Sequence, residues 1–131
     1  MGKKTPPFKN NPKWTEARFF SFIRSSLRSA FRKWGPKYEV LNDAKRPAEY
    51  EWWNAEGNRQ LNVQWEYKCA GCGEWFMRKE VEVDHIEPVG SLQDFDDLPG
   101  FTERMFTSKD GLRVLCYQCH RDVTNEARKS K

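Results

Sequence analysis

The chain has 131 residues, room for one domain with a modest core, and its charged fraction of 32% nearly matches its hydrophobic 37%. That composition predicts added staples, and with no apolar run near the ~18 residues of a membrane helix it predicts no spanning segment. Twenty-three bases against nineteen acids leave a net charge of +4, which by itself excludes little.

Residues 1–13 read as a disordered basic arm, with Lys3, Lys4, Lys9 and Lys13 among Pro6, Pro7 and Pro12. Residues 1–14 are polar and proline-broken, which offers no signal-peptide core. Pro6 stands where a myristoylation site needs Ser or Thr. A cytoplasmic protein is therefore expected. Thr15 is a plausible N-cap for a helix running to about Trp34, with an apolar stripe at Phe19, Ile23, Leu27, Ala30 and Trp34. Arg24, Arg28 and Arg32, joined by Lys33, form a second, basic stripe on it. Gly35-Pro36 reads as its stop, and a shorter helix over about Tyr38–Arg46 is ended by Pro47. Residues 48–60 carry no clear period.

From Leu61 the period becomes two: Leu61, Val63, Trp65 and Tyr67 alternate with Asn62, Gln64 and Glu66, a half-buried strand. A tight turn over residues 69–73 and a returning strand over residues 74–77 follow. Val81 and Val83 alternate with Glu80 and Glu82 in a further strand that delivers Asp84 and His85 at its end. Residues 87–110 read as loop with a helical turn or two. Leu112–Leu115 is a short strand, and Tyr117 to about Lys129 a last helix. The fold class is small α+β, with a basic helical region over 14–60 and a metal-stapled core over 61–131.

Charge is segregated along this order. Residues 1–37 hold ten bases against Glu16 alone, residues 80–110 hold nine acids against Arg104 and Lys109, and residues 111–131 hold five bases against two acids. Basic ends around an acidic centre suit a polyanion-binding surface beside a cation-binding site. Solvated surface charge accounts for scattered residues but not for this segregation.

The four cysteines stand as Cys69-x-x-Cys72, then 43 residues, then Cys116-x-x-Cys119. Two such knuckles set four thiolates at the corners of the tetrahedron that Zn²⁺ prefers, in a closed structural site. Two disulfides would need an oxidising compartment, and a redox Cys-x-x-Cys would not need a second copy. Only two histidines occur, each beside a motif residue: His85 follows Asp84, and His120 follows Cys119. The knuckle brings the start of the last helix near the strand carrying Asp84, so these three residues are expected to converge. An oxygen and a nitrogen ligand with open positions suit a divalent ion that engages phosphate, and His85 is then a candidate base.

The run Val83-Asp84-His85-Ile86-Glu87-Pro88, followed by Leu112-Arg113-Val114-Leu115-Cys116-Tyr117-Gln118-Cys119-His120, closely resembles an HNH nuclease of the zinc-knuckle, ββα-metal type. Cys69 and Cys72 complete a resemblance that covers about half the chain. It implies a metal-dependent DNA endonuclease like the small free-standing HNH enzymes of phages and mobile elements. Asp84 and His120 would hold Mg²⁺ or Mn²⁺, and His85 would take a proton from the attacking water. The ends implied are 5′-phosphate and 3′-hydroxyl on double-stranded DNA; apart from the resemblance, the basic stripe of Arg24, Arg28, Arg32 and Lys33 is expected to contact DNA phosphates. Monomer and homodimer are both open. Two positions depart from the family pattern: Gly111 stands where it has a bracing Asn, leaving Ser108 and Asp110 as candidates for that task, and Val123 stands where many members have Lys. The alternatives are a non-catalytic zinc-ribbon nucleic-acid-binding module and an accessory factor of a phage assembly.

Overall fold

The computed structural model describes residues 13–129, so the arm expected over 1–13 lies, Lys13 apart, outside the described residues. The chain forms two compact units. The first joins the residues up to Trp34 with Glu87–Thr107, and the second joins Gly35–Ile86 with the chain from Ser108 onward.

In the first unit, Thr15 caps helix α1 (Glu16–Ala30): it is extended, and its hydroxyl accepts the Arg18 N–H at 3.2 Å. A single tight turn over Phe31–Lys33 carries the chain to Trp34, which turns extended and ends the run. The expected stripe is only half right. Phe19, Ile23 and Leu27 are half-buried and Ala30 is exposed, while the deeply buried residues are Phe20 and Phe31. Phe20 is claimed by an edge-to-face contact with Phe95, 4.9 Å between centroids, from the segment expected to be loop. That segment carries an eight-residue helix, α3 (Leu98–Met105), with Pro99 in its first turn and Phe101 and Met105 buried. Trp34 donates its indole N–H to the Thr107 carbonyl at 2.6 Å, and Arg104 donates to the Val89 carbonyl at 2.7 Å, closing the segment on itself.

The second unit opens with helix α2 (Gly35–Ala44). Gly35-Pro36 therefore starts a helix rather than only stopping one: a proline in the first turn loses no intrahelical bond. The helix expected to reach Arg46 ends at Ala44, because Lys45 already pairs with Tyr67. The strand β1 (Lys45–Trp53) pairs antiparallel with β2 (Arg59–Lys68), and β2 with the short β3 (Trp75–Met77). Residues 48–60, which carry no clear period in the sequence, thus belong mostly to β1 and the start of β2. Pro47 is tolerated because β1 is an edge strand. The half-burial expected of β2 holds only at its end. Leu61, Val63 and Trp65 are exposed by 56%, 61% and 48%, and only Tyr67 of that row reaches the core. Lys45 lies over the Trp65 ring at 4.3 Å and Arg46 over Trp75 at 3.8 Å, so cationic stems cover part of this surface.

Beyond β3, strand β4 (Val81–His85) pairs antiparallel with β5 (Leu112–Cys116) in five steps, from Val81↔Cys116 to His85↔Leu112. Helix α4 (Tyr117–Lys129) follows β5 without a loop. Alternation divides this ladder into two faces. Val81 and Val114 pack with Leu41 of α2 in a core joined by Val83, Tyr67 and Phe76. Glu82, Asp84 and Arg113 lie on the other face, toward α4. Among the described residues no helix is long and apolar enough to cross a membrane.

Candidate metal centre

Cys69 directly follows β2 and Cys72 lies in the turn beyond it, which Gly73 completes at φ +77° with its N–H on the Cys69 carbonyl. Cys116 ends β5 and Cys119 lies one helical turn on in α4. A 2.8 Å bond from the Ala70 N–H to the Val114 carbonyl ties the two knuckles together. All four thiols are free of disulfides, and their Sγ atoms lie within 4.8 Å of one another. A tetrahedron built on 2.3 Å zinc–sulfur bonds has an edge of ~3.8 Å, so small side-chain adjustments bring the four onto one ion. The cluster fits a structural metal such as zinc.

The hydrogen bonding already favours thiolate. Burial alone would push the Cys69 thiol up. The backbone N–H groups of Cys116, Cys72 and Gly71, at 3.3, 3.5 and 3.3 Å, and the Cys119 thiol outweigh that burial and bring it down to about 6. Cys119 moves the opposite way, to about 12, because its proton is held by Cys69 and Cys116. Without metal, then, the cluster holds its negative charge chiefly on Cys69.

One residue past Cys119, the His120 ring turns to β4. Its Nε2 lies 3.6 Å from Asp84 Oδ1, and its Nδ1 lies 3.5 Å from Glu82 Oε2. Asp84 is largely buried, with 15% of its side chain exposed, and its second oxygen Oδ2 accepts from Arg113 Nε at 3.1 Å. Asp84 and Arg113 are direct cross-strand partners. The structure therefore brings together two of the three residues expected to converge, and Oδ1 and Nε2 could share one small divalent ion. His85 closes the strand opposite Leu112 and is half-buried.

Bracing after His85 is done by main chain: the Ile86 N–H donates to the Gly111 carbonyl at 2.9 Å, and the Gly111 N–H to the Ser108 carbonyl at 3.0 Å. Gly111 thus supplies a bond where the sequence reading looked to the side chains of Ser108 and Asp110. Arg28, Arg32 and Lys33 are exposed, whereas Arg24 is half-buried and borders a cleft of about 510 Å³ with Glu16, Phe20 and Leu92. Sequence reasoning missed Glu82 and Arg113. Glu82 was accessible to it, since a residue two before Asp84 in a strand shares its face. Arg113 needed the β4–β5 register. No family model matches the chain, and no curated protein or solved structure matches it.

Proposed function

We propose that this protein is a metal-dependent DNA endonuclease of the HNH kind, with the four thiolates as its structural zinc site and Asp84 and His120 as ligands of a catalytic Mg²⁺ or Mn²⁺. The observation that carries the reading is the 3.6 Å approach of Asp84 Oδ1 to His120 Nε2, between a strand end and the helix that opens on the knuckle. Two antiparallel strands followed directly by a helix are also the order that the resemblance implies. A hard divalent ion there would supply Lewis acidity toward a phosphate oxygen. Asp84 and His120 would hold that ion, and His85 would take the proton of the attacking water. Exposed Arg28, Arg32 and Lys33, with Arg24, would contact DNA phosphates.

Purified protein incubated with supercoiled plasmid and Mg²⁺ or Mn²⁺ is expected to give nicked, then linear, DNA, and EDTA is expected to stop it. Zinc-loaded protein that binds the plasmid and leaves it intact with every divalent ion would favour the non-catalytic zinc-ribbon reading.

A further inference from the structure

The Asp84–His120 pair has a third member. Glu82 Oε2 lies 3.5 Å from His120 Nδ1, on the side of the ring opposite Asp84. A neutral imidazole carries one proton on two nitrogens, so a carboxylate beside one nitrogen decides which of them keeps a lone pair. Glu82 and Asp84 share a strand face at i and i+2, and α4 lays the ring between them. The two carboxylates are not equivalent. Asp84 is largely buried and already holds Arg113 through its other oxygen, whereas Glu82 has 47% of its side chain exposed.

We infer that Glu82 is a positioning residue that keeps the His120 proton on Nδ1 and so leaves the Nε2 lone pair facing Asp84 Oδ1. The inference rests on the metal-site reading above for its purpose, though not for its geometry. With the proton on Nε2 instead, His120 would donate to Asp84 and neither atom could take an ion. Carboxylates placed behind ligating imidazoles change metal affinity by about 10- to 100-fold when removed. Glu82 is therefore not a third ligand: it lies against the nitrogen that an ion on Nε2 leaves free.

Nitrogen-15 NMR of the two imidazoles tests this directly in zinc-loaded protein without added Mg²⁺ or Mn²⁺, with pH raised until both sets of ring signals stop moving. A His85→Gln variant assigns the signals, since only two histidines exist. His120 is expected to carry its proton on Nδ1 in the parent and in Glu82→Gln, whose amide oxygen still accepts, and to shift toward Nε2–H in Glu82→Ala. Mn²⁺ titration should show the Ala variant weakened about 10- to 100-fold and the Gln variant within a few-fold of the parent. Zinc content and melting temperature should be the same in all three, because Glu82 is half exposed. An Nε2–H tautomer in the parent, or one that Glu82→Ala leaves unchanged, overturns the proposal. The expected tautomers in a protein that binds no Mn²⁺ would uphold the positioning role and overturn the catalytic-metal reading instead.

Discussion

Gly71 and Cys119 stand so close that a methyl group on the Gly71 Cα would lie 2.9 Å from Cys119 Sγ and 3.1 Å from its Cβ. Both are short groups fixed by the knuckle and by α4, so neither can swing aside. Gly71→Ala is expected to cost about 1–3 kcal/mol in overpacking, which corresponds to a loss of zinc affinity of about 10- to 100-fold. Competition with a chromophoric chelator measures it. Gly57→Ala is a poorer control despite open space around it, since φ +81° strains any side chain. Gly35→Ala, with open space and no positive φ, is the better one.

Acid should weaken zinc binding. A thiol whose folded value is depressed adds stability above its unfolded value of about 8.5 and loses it as pH falls through the folded one. For Cys69 that loss is completed near 6, and Cys119, raised to about 12, acts in the opposite sense and fails only as pH climbs past about 9. Zinc must therefore displace the Cys119 proton at any ordinary pH and a second proton, from Cys69, once pH falls below about 6, so zinc affinity is expected to fall with pH throughout and more steeply below about 6. An affinity that does not fall more steeply there would contradict this account of the thiolate. A pH titration with a zinc-sensitive dye reads the outcome.

Arg113 holds Asp84 Oδ2 from the neighbouring strand, which leaves Oδ1 to face His120. Arg113→Met keeps the stem and removes the guanidinium. Mn²⁺ affinity is expected to fall about 10-fold with zinc content unchanged. Isothermal titration of zinc-loaded protein checks both, and an unaltered affinity would mean that the strand alone aims the carboxylate.

His85 separates from the ligands in its response. His85→Ala is expected to lose plasmid cleavage while keeping Mn²⁺ binding, whereas Asp84→Ala and His120→Ala should lose the second ion along with cleavage. All three should stay folded, because the thiolates are untouched. Cleavage near the parent rate by folded His85→Ala would end the general-base assignment. Loss of Mn²⁺ binding in that variant would move His85 among the ligands.

Local features of the sequence proved readable where neighbours along the chain decide the structure. The Thr15 cap, the alternation at Val81–Asp84, the two knuckles and the helix after Cys116 all depend on spacings of a few residues. β1 was hidden because Pro47 reads as a breaker, and only its place at a sheet edge makes it harmless. Phe20 outranked the expected stripe because Phe95, 75 positions away, supplies its partner. The exposure of Leu61 and Val63 was equally out of reach: alternation shows that a strand has two faces, not that something covers one of them. The approach of Asp84 to His120 was legible through their motif neighbours, and the part of Arg113 was not, since a cross-strand partner is fixed by register alone.

The five-step β4–β5 ladder has a consequence for maturation. Its Val81↔Cys116 end belongs to the thiolate cluster, and its fourth step aligns Asp84 with Arg113. A one-residue slip would turn Asp84 to the Val83 face and dissolve the pair with His120. Packing of Val81 and Val114 on Leu41 already favours that register, and metal at the thiols would lock its end, so a newly made chain still lacking zinc would hold Asp84 against His120 less firmly. Cleavage of the kind proposed would then grow with zinc loading rather than with the amount of chain made.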